Sequence, residues 1–65
     1  MNDLPVVSGA QAVRAFEQFG WVVTRQSGSH VIMTKPGVPI NLSIPQHRKL
    51  DRGLLRSQIK KAGIT

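Results

Sequence analysis

Between Trp21 and Ile44 the chain carries three β-rich runs held apart by very short turn signals, and this spacing limits the fold more than any other feature. Trp21 to Gln26 and Ser29 to Thr34 are separated only by Ser27 and Gly28. A gap that short permits an antiparallel hairpin but not a parallel crossover, which needs a dozen or more residues. Lys35, Pro36 and Gly37 form the next turn signal. Pro39 to Ile44 then alternates Ile40, Leu42 and Ile44 against Asn41 and Ser43, the pattern of a strand with one buried face. Pro45 ends that strand or confines it to an edge. The centre of the chain is thus predicted to be a three-stranded antiparallel meander.

Helical patterns flank the meander on both sides. Ser8 and Gln11 have the S-x-x-Q spacing in which each side chain satisfies the other's free backbone donor, so a helix is predicted over Gly9 to Phe19. Ala12, Val13, Phe16 and Phe19 supply its inward face, Arg14, Glu17 and Gln18 its outward face, and Gly20 its left-handed stop. After a loop from Gln46 to Leu50, Asp51 is placed to cap a second helix reaching Ala62, with Leu55, Ile59 and Ala62 inward and Gly63 as its terminator. The expected fold class is α+β with element order α-β-β-β-α, both helices on one face of the sheet. At 65 residues the chain is read as one domain spanning 1–65, small enough to be marginally stable. The other sheet face, expected to show Val22, Thr24, Val31 and Met33, would be either a mild apolar patch or a surface for a partner.

Nine Lys and Arg against three Asp and Glu leave a net charge of +6, which favours a polyanionic partner, nucleic acid first. A membrane surface would call for a helix pairing a cationic stripe with aromatic anchors, and neither predicted helix has that combination. Charge that serves only solubility is the plainer alternative. No basic start followed by an apolar run opens the chain, no stretch approaches the length of a membrane span, and there is no cysteine. The expected compartment is a reducing cytoplasm.

With residues 27 and 28 as the hairpin loop, Arg25 is predicted opposite His30 and Val23 opposite Ile32. A guanidinium and an imidazole would then share one face, with the Ser29 hydroxyl beside the ring and Gly28 allowing close approach of a ligand. The same residues also read as ordinary turn chemistry followed by an unremarkable strand histidine. Lys49, Arg52, Arg56 and Lys60 line one side of the second helix at three- and four-residue spacing, either as phosphate contacts or as a solvated face. Asp3, Glu17 and Asp51 are scattered, so no carboxylate cluster for magnesium is expected, and two histidines without a cysteine or nearby acid do not form a zinc set. No Gly-rich nucleotide loop is present. An enzyme of this sequence is expected to use neither metal nor cofactor.

These pieces together resemble the HicA family of bacterial toxin ribonucleases. The similarity runs through Leu4-Pro5-Val6-Val7-Ser8-Gly9, Phe19-Gly20-Trp21, Arg25-Gln26-Ser27-Gly28-Ser29-His30, Ile44-Pro45-Gln46-His47, and Gly53-Leu54-Leu55-Arg56 on to Ala62-Gly63-Ile64. The resemblance implies a fold like that of double-stranded-RNA-binding domains, cleavage of messenger RNA, and a HicB-type antitoxin as protein partner. The histidine of G-S-H, which the family uses in catalysis, is His30 here. RNA contacts are then expected from Arg25, Ser29, Lys49, Arg52, Arg56 and Lys60. Members commonly carry an acidic residue near Lys49 and a threonine where Leu54 stands, so the start of the second helix is open to question. His47 is read as a loop anchor. A non-catalytic RNA-binding module of the same fold is the alternative function.

Overall fold

The computed structural model describes residues 6–63; Leu4, Pro5 and Ile64 of the resemblance, and Asp3, lie outside the described residues. Two helices and three strands follow in the order α1 (Gly9–Glu17), β1 (Val22–Ser27), β2 (His30–Lys35), β3 (Val38–Pro45) and α2 (Arg52–Ala62). The strands form one antiparallel sheet in the order β1-β2-β3. Both helices pack on one face of it, as the two apolar stripes require.

Helix α1 starts where the S-x-x-Q spacing places it. The Ser8 hydroxyl accepts from the Gln11 N–H at 3.1 Å and the Gln11 side chain accepts from the Ser8 N–H at 3.0 Å. The helix ends at Glu17, two residues short of expectation, and the chain turns through Gly20 at φ 91°. That turn takes Phe19 off the helical stripe, so the ring expected in the core is 51% exposed. Trp21, held by its N–H to the Phe16 carbonyl at 3.2 Å, fills the core instead at 1% exposure.

Helix α2 begins at an Asp51 cap whose carboxylate accepts from the Leu54 N–H at 3.1 Å, and ends at Gly63 with φ 69°. The leucine at position 54 therefore leaves the helix start intact. Leu54, Leu55, Ile59 and Ala62 pack against the core half-buried, and Gln58 joins them as a buried polar side chain.

The core lies between sheet and helices: Val31, Met33, Leu42 and Ile44 from the sheet meet Ala12, Phe16, Trp21 and Leu50. This overturns the expectation that Val31 and Met33 occupy the uncovered face. Met33 pairs with Leu42 and Val31 with Ile44, and all four point toward the helices. The open face instead carries His30, Ile32 and Thr34 of β2 with their partners Arg25, Ser27 and Val22 of β1. Val22 stays exposed on that open face, and further apolar surface lines a cavity between the helices formed by Val7, Ala15, Phe19, Leu55 and Ile59 among others.

Candidate active site

His30 opens the middle strand, opposite Ser27 on one side and Pro45 on the other. The hairpin loop that delivers it is Gly28-Ser29, one residue later than expected. The reason is conformational. Gly28 has φ 59° and among the described residues no non-glycine has positive φ, so the glycine sits at the first central position of a II′-type turn. That turn follows the right-handed twist of the strands, whereas a Ser-Gly loop with positive φ at its second residue would splay them. The Gln26 amide donates to the Gly28 carbonyl at 3.2 Å and ties the turn down.

The expected pairing of Arg25 with His30 is accordingly corrected: Arg25 faces Ile32 and Ser27 faces His30. An offset of two residues leaves every side chain on its original face. Arg25 and His30 thus remain on one face as diagonal neighbours, at a spacing of roughly 7 to 8 Å. A bulge at Thr24 then slips the register by one, so Val23 pairs with Met33 rather than Ile32 and turns to the helical side. The Thr24 hydroxyl donates to the Ile32 carbonyl at 3.2 Å.

Long-range hydrogen bonds bring further chain segments to the His30 end. The Gln46 N–H donates to the Ser29 carbonyl at 2.6 Å, the Gly9 N–H to the His47 carbonyl at 2.9 Å, and the Leu50 N–H to the Val7 carbonyl at 2.8 Å. The hairpin turn, the 46–50 loop and the start of α1 therefore meet at one corner, and α2 begins beside them. Gly9 is required there, because a Cβ would stand 2.2 Å from the Pro45 carbonyl oxygen. His47 does anchor the loop, but through its backbone; its side chain is exposed. None of the side-chain hydrogen bonds among the described residues involves the His30 or His47 imidazole. Local sequence gave no signal that His47 and Arg48 would stand beside the turn at 28–29, since only the β3 register joins them.

The expected RNA contacts are all exposed but do not form one surface. Arg25, Ser29 and His30 belong to the open sheet face and its turn, while Lys49 sits in the corner loop and Arg52 in the first turn of α2. Arg56 and Lys60 follow at one and two helical turns, placing Lys60 about 12 Å further along the axis. At 3.6 residues per turn Lys60 projects opposite the side that carries buried Gln58 and half-buried Ala62, away from the sheet. Lys49 and Arg52 are the cations that bridge the two surfaces. Both helix N-termini are occupied by their own caps, so charge near the corner comes from side chains.

Such a corner can do acid–base work on a bound phosphodiester. An exposed imidazole can take up or give a proton, and neighbouring guanidinium and ammonium groups stabilise charge on phosphate oxygens. Among the described residues no three His, Asp or Glu side chains gather, and no helix is long and apolar enough to cross a membrane.

The topology and both helix positions define a small α-β-β-β-α protein of the double-stranded-RNA-binding-domain type. Within that class the family model for the HicA toxin of bacterial toxin–antitoxin systems matches residues 9–64, and the chain belongs to that family. A chain in a solved toxin–antitoxin complex from Streptococcus pneumoniae is 30% identical, with a TM-score of 0.79 over 91% of this chain and 98% of that one. No curated protein sequence matches it.

Proposed function

We propose that this toxin is a metal-independent endoribonuclease that cuts messenger RNA in the cytoplasm with His30 as its catalytic base, and that a HicB-type antitoxin restrains it. The observation that carries the reading is an exposed imidazole at a strand end, without an intramolecular hydrogen-bond partner among the described residues, beside a guanidinium and a basic loop. RNA supplies its own nucleophile. His30 takes the proton from a 2′-hydroxyl, the freed oxygen attacks the adjacent phosphorus, and the 5′-oxygen departs to leave a 2′,3′-cyclic phosphate. Arg25, Lys49 and Arg52 stabilise the charge that builds on the phosphorus-bound oxygens.

Family membership supports the nuclease reading, and the likeness to a protein solved within a toxin–antitoxin complex supports the partner. Of the sheet face expected to be an apolar patch or a partner surface, Val31 and Met33 lie in the core and Val22 stays exposed. The +6 charge favours an acidic partner, which would compete with RNA for the molecule. Inhibition is then steric. The test is to incubate purified protein with RNA in excess chelator and to identify the product ends. Cleavage with cyclic phosphate and 5′-hydroxyl ends is expected. RNA that is bound but stays intact would favour the non-catalytic RNA-binding module instead.

A further inference from the structure

His47 stands at the same corner as His30, and its role is not accounted for by anchoring. The bond from the Gln46 N–H to the Ser29 carbonyl, at 2.6 Å, extends the β2–β3 register one step beyond the His30–Pro45 pair. Pro45 has no N–H, so its pair with His30 is of the non-hydrogen-bonded kind, with Cα atoms roughly 4.5 Å apart. His47 follows two residues later, and two residues span at most about 7 Å. The two histidine Cα atoms are therefore within roughly 12 Å of each other, a gap that two imidazoles can close around one phosphodiester. The backbone of His47 is fixed by the Gly9 N–H at 2.9 Å, while its side chain is exposed and has no hydrogen-bond partner among the described residues.

The cleavage reaction needs such a group. Attack by the 2′-oxygen forms the O2′–P bond and breaks the P–O5′ bond, and the departing 5′-oxygen must gain a proton as His30 gains the one from the 2′-hydroxyl. Among the described residues the two carboxylates, Glu17 and Asp51, offer no alternative donor, since Glu17 lies at the end of α1 away from the corner and Asp51 is engaged in capping α2. Resting on the nuclease reading above, we infer that His47 is the general acid that protonates the leaving 5′-oxygen. Two histidines at separate ends of one phosphodiester then finish each cleavage with their protonation swapped, His30 protonated and His47 deprotonated, and exchange with solvent restores both before the next turnover.

The experiment uses an RNA oligonucleotide whose cut linkage has been mapped, alongside the same oligonucleotide with sulfur replacing the 5′-oxygen at that linkage. A thiolate departs without needing a proton. His47→Ala and His47→Asn are expected to cut the ordinary RNA about 100-fold or more slower than wild type, and the sulfur-substituted RNA at close to the wild-type rate. His30→Ala is expected to be slow on both. Loss of equal size on the two substrates in both His47 variants, or no loss on either, would overturn the assignment while leaving the nuclease reading in place. Wild-type protein that yields no cut to map overturns the nuclease reading, and the role of His47 with it.

Discussion

Gly9 links the helical layer to the site. Its N–H holds the His47 carbonyl, and its missing side chain lets α1 lie against Pro45 and Gln46, where an added Cβ would come within 2.8 Å of the Gln46 Cα. Both atoms in the way are backbone and cannot swing aside as a side chain would. Gly9→Ala is therefore expected to push the 45–47 segment off the start of α1 and to destabilise the fold by about 1–3 kcal/mol. For a domain of this size each kcal/mol lowers the Tm by roughly 4 to 8 °C, which a thermal melt resolves. A melting temperature equal to that of wild type would show that the corner is not braced there. Sequence alone marked Gly9 only as the first residue of a helix. The contact that constrains it comes from residues 36 and 37 positions further on.

At the scale of elements, local chemistry decided most of what could be read. The Ser8–Gln11 box, the Asp51 cap and the Gly63 stop each involve groups within three or four residues of one another, so their partners were visible in the sequence, and the structure has all of them. Asp51→Ala is expected to remove about 1 kcal/mol of stability, with a range of roughly 0.5–2, through the orphaned Leu54 N–H. Urea unfolding measures it, and an unchanged midpoint would contradict the cap. Faces of the strands were harder to read. Val31, Ile32 and Met33 are apolar in succession, so no alternation marks which of them points inward. Register had to come from the turn, and Ser27, Gly28 and Ser29 offered more than one two-residue loop. The demand for positive φ at the first loop residue chose Gly28-Ser29, and the Thr24 bulge, which has no local signature, moved Val23 to the other face. His30 and Arg25 kept a common face only because the turn moved their pairing by an even number.

Over the whole molecule, the cations are distributed around the body. The chain measures 36 × 27 × 17 Å, with the sheet on one broad side and the helices on the other. On the proposed nuclease reading, RNA engaged at His30 would meet Arg25 on the sheet face and then Lys49 and Arg52 at the edge, while Lys60 points away from that path. For single-stranded RNA each phosphate contact contributes about 0.7 to the slope of log affinity against log salt. Lys49→Ala and Arg52→Ala are each expected to flatten the slope by about that amount, and Lys60→Ala to leave it nearly unchanged. Equal flattening by all three would mean that RNA tracks the outer face of α2 instead.

The proposed nuclease depends on the exposed strand-end imidazole of His30 as the base that starts the cleavage. Replacing it takes away a proton acceptor and no core contact, so His30→Ala should fold, melt and bind RNA as the wild type does. The decisive measurement is the single-turnover cleavage rate of wild type and His30→Ala on the same RNA in chelator, with the melting temperature of each recorded. A loss of about 100-fold or more at an unchanged melting temperature is expected. A folded variant that cuts RNA at the wild-type rate would contradict it.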